Sequence, residues 1–282
     1  MRFRNAFVLT AGLFASGISF AGPIVPGFDS NAFRGDYYSN SGAVDIGFTI
    51  NFFGNEYSQL YVNVMGNVGF GSSGSGGNAP RMAVARQPTL APFVTDGVDT
   101  RYAGSPVTYG IGTYDGQAAF GVNWVDIDYF GNGLGLSDGT LTSTYRFANP
   151  DDIHAARNSY QLIIVDRSNG DFDFIFNYDS IQWEYPNTHV GWSRGYKNGW
   201  PSTGEFFELG DLSDYERYNT GPFLDGGSRA LAGLTYTFQV RDGIVFSPII
   251  TTTIPEPETW AMLLAGLGIV GSVAAKRRRR QG

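Results

Sequence analysis

Leu162-Ile163-Ile164-Val165 is a continuously apolar run, and Ser168-Asn169-Gly170 follows it closely. Phe172, Phe174, Phe176 and Tyr178 then alternate with Asp171, Asp173, Ile175 and Asn177. A short unbroken apolar run bounded by turn residues marks a strand covered on both faces. Asn-Gly between two such segments is a strong hairpin signal, because both residues tolerate positive φ. Alternation of period two marks a returning strand with one buried face. Together the three pieces read as a central β-hairpin, with Asp171 and Asp173 expected to face water.

The same reading extends in both directions. Val44, Ile46, Phe48, Ile50 and Phe52 alternate with polar or small residues, and Phe53-Gly54-Asn55 supplies a turn. Leu60, Val62 and Val64 repeat the pattern, and Val68 and Phe70 resume it after Gly66. Val107, Tyr109 and Ile111 give a further strand, and Leu234, Tyr236, Phe238 and Val240 a last one. From Gln117 to Phe130 the phase changes: Phe120, Val122 and Trp124 share one face, Val125, Ile127 and Tyr129 the other. A switch of that kind requires a bulge or bend, predicted near Trp124-Val125. No helical period is sustained, so a βαβ architecture is disfavoured. Short helical pieces are expected at 80–86, 151–157 and 211–218, and glycine-rich loops at 72–78 and 131–139. The fold class is therefore all-β, an antiparallel β-sandwich-like single domain.

Composition agrees. The chain has 282 residues, 39 of them Gly, with 15% aromatic and only 16% charged residues. High Gly suits turn-rich β structure better than helices, where Gly is unfavourable. Cysteine is absent. That excludes disulfides, thiolate metal sites and a cysteine nucleophile. The two histidines, His154 and His189, leave little room for imidazole catalysis. Residues 22–254 carry 12 cationic and 24 acidic side chains. A body this acidic opposes nucleic-acid binding.

The two ends differ from the body. Arg2 and Arg4 precede an apolar run from Ala6 to Phe14, and Ser19-Phe20-Ala21 suits a cleavage site. This pattern is that of a secretory signal peptide. At the other end, Trp260 to Ala275 carries no charge and Lys276-Arg277-Arg278-Arg279-Arg280 follows at once. Sixteen helical residues reach roughly 24 Å, enough for one short transmembrane helix in a locally thinned bilayer. The basic block would hold the C-terminus in the cytoplasm. Between body and span, Pro255-Glu256-Pro257 forces an extended backbone open to a processing enzyme.

Pro255-Glu256-Pro257, an apolar span and an arginine run, in that order, resemble the PEP-CTERM sorting signal of Gram-negative bacteria. The resemblance covers residues 254–282. It implies cleavage near Pro255, Glu256 and Pro257 by a membrane exosortase, so that the span is transient. A second resemblance lies in the body. Phe52-Phe53-Gly54-Asn55, Leu60-Tyr61-Val62-Asn63 and Gly66-Asn67-Val68-Gly69-Phe70 look like the opening of a nidogen-like (NIDO) domain. Leu90-Ala91-Pro92-Phe93, Val98-Asp99-Thr100-Arg101, Val122-Asn123-Trp124-Val125 and Phe174-Ile175-Phe176-Asn177-Tyr178 are similar to its later blocks. It spans roughly residues 44–210 and departs in a long insert, Gly131 to Ala156. NIDO domains occur in matrix and adhesion proteins. The resemblance implies adhesion or matrix building, carries no catalytic residues and names no ligand.

The chemistry candidates are few. Gly191-Trp192-Ser193-Arg194-Gly195 matches G-x-S-x-G, but no histidine follows Ser193. Asp126 and Asp128 could in principle form a glycosidase pair. Asp96 and Asp99, around Gly97, are weak Ca2+ candidates, since hard cations take oxygen ligands. No other cofactor is expected. Trp183, Tyr185, Trp192, Tyr196 and Trp200 cluster in polar, turn-like sequence and are candidate ligand-contact aromatics.

The expected organisation is a signal peptide (1–21), an N-terminal extension (22–43), a NIDO-like β domain (44–242), a linker (243–254) and the sorting signal (255–282). The leading expectation is an exported, non-enzymatic adhesion or matrix protein, sorted to the cell surface or exopolysaccharide matrix. A carbohydrate-binding surface module is the alternative, and a glycoside hydrolase ranks below both. Expected partners are the secretion translocon, exosortase, the inner membrane transiently, and an extracellular polysaccharide or matrix protein.

Overall fold

A computed structural model describes residues 24–72, 81–185, 187–196, 205–209 and 231–252. The signal peptide, the sorting signal with Pro255, Glu256 and Pro257, the segment 211–218 and Trp200 lie outside the described residues. Among the described residues, no helix is long and apolar enough to cross a membrane.

The strands in chain order are β1 (Asn31–Phe33), β2 (Asn40–Phe52), β3 (Asn55–Asn63), β4 (Asn67–Gly69), β5 (Thr89–Thr95), β6 (Val107–Tyr114), β7 (Gln117–Ile127) and β8 (Arg146–Phe147). They continue as β9 (Asn158–Asp166), β10 (Phe172–Ser180), β11 (Trp183–Glu184), β12 (Thr188–Ser193), β13 (Phe206–Glu208), β14 (Leu234–Arg241), β15 (Ile244–Val245) and β16 (Ile249–Thr252). One short helix, α1 (Asp138–Thr144), and two 3-10 turns, Met82–Val84 and Pro150–Ala155, complete the described elements.

The first sheet runs β1-β6-β7-β9-β10-β14, with β15 and β16 both paired to the outer side of β14. The second runs β13-β12-β5-β4-β3-β2, and β8 and β11 make a small third sheet. All described pairings are antiparallel, beginning with the β9–β10 hairpin, in which Phe174 lies opposite Ile164. At its tip Asn169 and Gly170 both have positive φ, 56° and 84°, and Asp171 N–H donates to Ser168 O across 3.0 Å. That is the geometry the Asn-Gly pair favours.

β9 explains its own apolar run. Leu162 and Ile164 face the main core between the two large sheets, beside Phe52, Phe93, Phe120, Phe174 and Phe238. Ile163 and Val165 face the opposite side, where Phe28 of the N-terminal segment packs with Ala119 and Ile175. Gly121 makes that possible, since a Cβ there would lie 2.3 Å from the Phe28 ring. The two large sheets also meet through polar anchors: Trp124 Nε1–H donates to Asn63 O at 3.0 Å, and the Tyr178 hydroxyl to Pro92 O at 2.5 Å. Full burial of such rings makes them the largest apolar contributors to the core.

The phase switch in β7 is a bulge. Register with β9 shifts between Trp124 and Ile127, and Asp126 adopts a φ of 54°. Here Ser159 Oγ accepts from Asp126 N–H, and Asp126 O accepts from Ser105 N–H.

Three sequence expectations need correction. Asp173 does not face water; it is 4% exposed, held by Arg167 Nε at 2.7 Å and Arg241 Nη2 at 2.8 Å. Two guanidiniums cover the outer face that alternation alone leaves open. The extension 22–43 is partly structural, because Phe28 packs on the first sheet and Asn31–Phe33 pairs with β6. Buried amides fasten it: Gln161 accepts from Val25 N–H at 3.0 Å and donates to Val25 O at 2.7 Å. Likewise residues 243–254, expected as a linker, include β15 and β16, which extend the first sheet.

Candidate functional site

The expected ligand-contact aromatics are mostly structural. Trp183 is fully buried, its Nε1–H donates to Ile127 O at 3.0 Å, and its ring lies against Tyr129 and Tyr145. Trp192 is buried against Phe53, with ring centroids 5.4 Å apart. A ring without an open face cannot stack on a sugar, so both are corrected to core residues. Polar flanking residues hid this, because β11 and β12 are short and covered from both sides. Tyr185 and Tyr196 are half-buried, Tyr185 edge-on to Tyr145.

Ser193 is the last residue of β12, opposite Phe206 of β13 and Thr89 of β5. Its Oγ accepts the Gly195 N–H at 3.0 Å. It sits on a strand between two others, not on a strand-to-helix elbow, so the motif has no nucleophile geometry here. His189 instead pairs through Nδ1 with Glu208 Oε1 at 2.5 Å, and its Nε2 meets Asn187 Oδ1 at 2.8 Å. Both side chains of the His189–Glu208 pair are buried.

The bulge separates Asp126 from Asp128. Asp126 is largely exposed, whereas Asp128 is buried. Asn132 donates to both Asp128 oxygens at 3.0 and 3.1 Å, Tyr129 N–H donates at 2.9 Å, and Arg157 Nη1 lies 3.2 Å away. Arg157 Nε also lies 3.7 Å from Asp126. One guanidinium shared by both carboxylates does not leave a glycosidic bond between them, as a hydrolase pair requires. Burial pushes the Asp128 carboxyl above the ordinary range, against the lowering pull of Asn132 and Arg157. Burial, with Asp128 nearby, also raises the Tyr129 phenol to about 12.

The sign follows from linkage. A carboxyl whose folded pKa is raised contributes stability below its unfolded value of about 4 and loses it as pH rises through the folded value. Asp128→Asn removes that dependence. Urea unfolding from pH 3.5 to 7 is expected to show the parent losing stability relative to Asp128→Asn as pH rises. A constant difference across that range would contradict it.

The Ca2+ candidates are also placed. Asp99 is buried and bound by Arg101, whose Nε and Nη2 lie 3.1 and 2.7 Å from its two oxygens. Asp96 accepts from Asn187 Nδ2 at 2.9 Å. A guanidinium on the Asp99 carboxylate occupies the oxygens a cation would need. Among the described residues no group of three His, Cys, Asp or Glu side chains could hold a metal ion.

The open aromatic surface lies elsewhere, on loops that sequence reading passed over. Asp36 and Asp99 form an isolated bridge between the segments 34–39 and 96–105. Arg101 Nη1 lies 3.2 Å from Asp36 Oδ2, so one guanidinium joins the two loops. The same Asp36 side chain accepts from Tyr38 N–H at 3.1 Å and Ser39 Oγ–H at 2.9 Å. Directly after Asp36, Tyr37 and Tyr38 pack with centroids 4.1 Å apart and hydroxyls 3.2 Å apart. The Arg101 guanidinium also sits 5.1 Å from the Tyr102 ring centroid. The glycine-rich loop 131–139 packs on Tyr102: a Cβ on Gly133 would lie 2.6 Å from Tyr102 Cβ. Tyr38 is 54% exposed and Tyr102 60%. The available signal was three Tyr within loop sequence, but nothing local distinguishes them from core aromatics.

Comparison with known protein families adds two matches. Residues 20–140 match the family described as NIDO related, and residues 253–280 match the PEP-CTERM protein-sorting motif. No curated protein and no solved structure matches the chain. The first match spans β1 to β7 and the aromatic loops; the β9–β10 hairpin lies beyond it. The second is a signal for exosortase processing, consistent with secretion and transient membrane anchoring in Gram-negative bacteria. The chain thus joins a NIDO-related segment on an antiparallel β-sandwich to a C-terminal PEP-CTERM sorting motif, the arrangement of an exosortase-sorted extracellular protein.

Proposed function

We propose that this is a non-enzymatic adhesion or matrix component, delivered to the cell surface or the exopolysaccharide matrix. The single observation that carries the reading is the pairing of a NIDO-related segment with a sorting motif in one chain. An acidic exported body with a rigid sandwich and exposed loop aromatics suits contact outside the cell. The signal peptide at 1–21 would engage the translocon, and exosortase would act near Pro255, Glu256 and Pro257. The test uses the native host, with these three residues intact or all changed to alanine. Wild-type protein should lose a C-terminal fragment and leave the inner membrane. The variant should stay full-length in that membrane, and host attachment or matrix mass should fall several-fold. An intact C-terminus in both, or unchanged attachment, rejects the proposal.

A second reading, binding of a neutral glycan, is favoured by one observation: exposed Tyr38 and Tyr102 lie on the two loops that the Asp36–Arg101 pair joins. Rings stack on apolar sugar faces while the charged groups hold hydroxyls. The full chain, screened against the host's own polysaccharide, should lose at least tenfold in affinity on Tyr38→Ala with Tyr102→Ala. Equal binding by the double variant removes this surface from consideration.

A further inference from the structure

We infer that the free edge formed by β15 and β16 pairs, antiparallel, with the same edge of a second copy of this chain. The inference is independent of the matrix reading: self-association could hold without adhesion, and adhesion without self-association.

An exposed edge offers unpaired N–H and C=O groups to any passing strand, and natural proteins blunt such edges with charge, bulges or short length. Three of the four edges of the two large sheets are blunted. β1 is only three residues long and is followed directly by Arg34. β13 is only three residues long and is preceded by Glu205. β2 carries Asp45 and two register irregularities against β3.

The β15–β16 edge has no charge at all. Residues 244–254 read Ile-Val-Phe-Ser-Pro-Ile-Ile-Thr-Thr-Thr-Ile, without one acidic or basic side chain. Ile244, Phe246, Ile249 and Ile250 are each more than half exposed, and the whole of β16 is exposed. Its inner side pairs with β14, from Thr252 opposite Leu234 to Ile249 opposite Thr237. Its outer side has no strand partner among the described residues. Pro248 is the one blunting device, and it separates β15 from β16 without interrupting β16 itself.

A second copy fits this edge better than another partner class does. The body is strongly acidic, so two copies repel over most of their surfaces. The uncharged edge is where they can approach. Ile249-Ile250-Thr251-Thr252 is β-branched throughout, and an antiparallel pair about a two-fold axis sets these residues against themselves. Directly opposed Cβ atoms would lie roughly 4.5–5.5 Å apart, close enough for Ile–Thr packing. A basic protein or an anionic lipid would find no complementary charge on the edge. Four paired residues make a small interface, so the affinity is weak, on the order of tens of micromolar.

The test uses the full chain in detergent. Sedimentation should show a reversible monomer–dimer equilibrium for the parent. Ile250→Lys with Thr251→Lys should be monomeric, as should Ile250→Glu with Thr251→Glu. Mixing the two should restore dimers, because opposite charges then meet across the edge. Matching far-UV circular dichroism and thermal unfolding would exclude misfolding. The chain has no cysteine, so a mixture of Ile250→Cys and Thr251→Cys proteins, whose thiols face each other across the pair, should oxidise to a covalent heterodimer. Glu56→Cys, also exposed but on the other sheet, should not. A parent that stays monomeric up to about 0.5 mM, well above the expected weak-interface range, overturns the inference. So do charged variants that dimerise as the parent does, or a mixture that stays monomeric.

Discussion

Trp183→Ala is expected to destabilise the protein by about 3–5 kcal/mol, the range for removing a large buried ring. The ring is fully buried and touches Tyr129 and Tyr145 at centroid distances of 5.7 and 5.9 Å. Truncation would also strand Ile127 O, the acceptor of the indole N–H at the end of β7. An unpaired buried carbonyl adds about 1–3 kcal/mol at such a site. Trp183→Phe keeps most ring contacts and loses only the N–H donor, so it should fall between parent and alanine variant. Urea midpoints of the three full-length proteins give the comparison. An alanine variant unfolding at the parent's midpoint would place Trp183 outside the core. The folded Trp183→Phe protein should keep whatever glycan affinity the parent has, since the ring presents no face to solvent.

Gly66→Ala is the second large effect, at about 2–5 kcal/mol from backbone strain and overpacking combined. Gly66 ends the β3–β4 turn with φ at 100°, a conformation L-residues adopt only at a cost. A Cβ there would lie 2.1 Å from Phe93 O and 2.4 Å from the Tyr160 hydroxyl. The first of these is backbone of β5, which cannot turn aside as a side chain could. Relief would require moving the turn away from β5, disturbing Phe93 N–H and Thr95 N–H, which donate to Gly66 O and Met65 O. The thermal midpoint should drop clearly below that of the parent. As a control, Gly42→Ala also sits at positive φ but has nothing within 4 Å of its Cβ. It should cost only the conformational part, so equal losses at the two positions would refute the packing argument.

The difference between the two glycines shows why some features were legible early. Gly66 stands between two alternating segments, so a turn at that point follows from local pattern. Its contact with Phe93, 27 positions on, does not. The bulge in β7 was readable because Trp124 and Ile127 sit on opposite phases within one segment. The burial of Asp128 beside it was not, because Arg157 comes from a distant segment and Asn132 from the loop that folds back over it. The burial of Trp183 and Trp192 escapes local pattern for the same reason: exposure depends on what the chain brings alongside. The open aromatics, Tyr38 and Tyr102, belong to loops tied together by Arg101, a tie across 65 residues from Asp36.

By itself the sequence determined the all-β class, the central hairpin, the acidic cysteine-free body and the sorting motif. Side-chain alternation and turn chemistry are local, acting within a few residues, so they survive without knowledge of partners. Only the tertiary structure decided which acids are buried, which aromatics are open, and that residues 244–252 form an uncharged edge among the described strands. Those outcomes depend on pairing between distant segments: Asp173 is buried because Arg167 and Arg241 close over it, and β16 lies outside β14, with no further strand beside it among the described residues, because β10 takes the inner side of β14. Desolvation and hydrogen bonding are set by neighbours in space, and a single strand's pattern does not specify them.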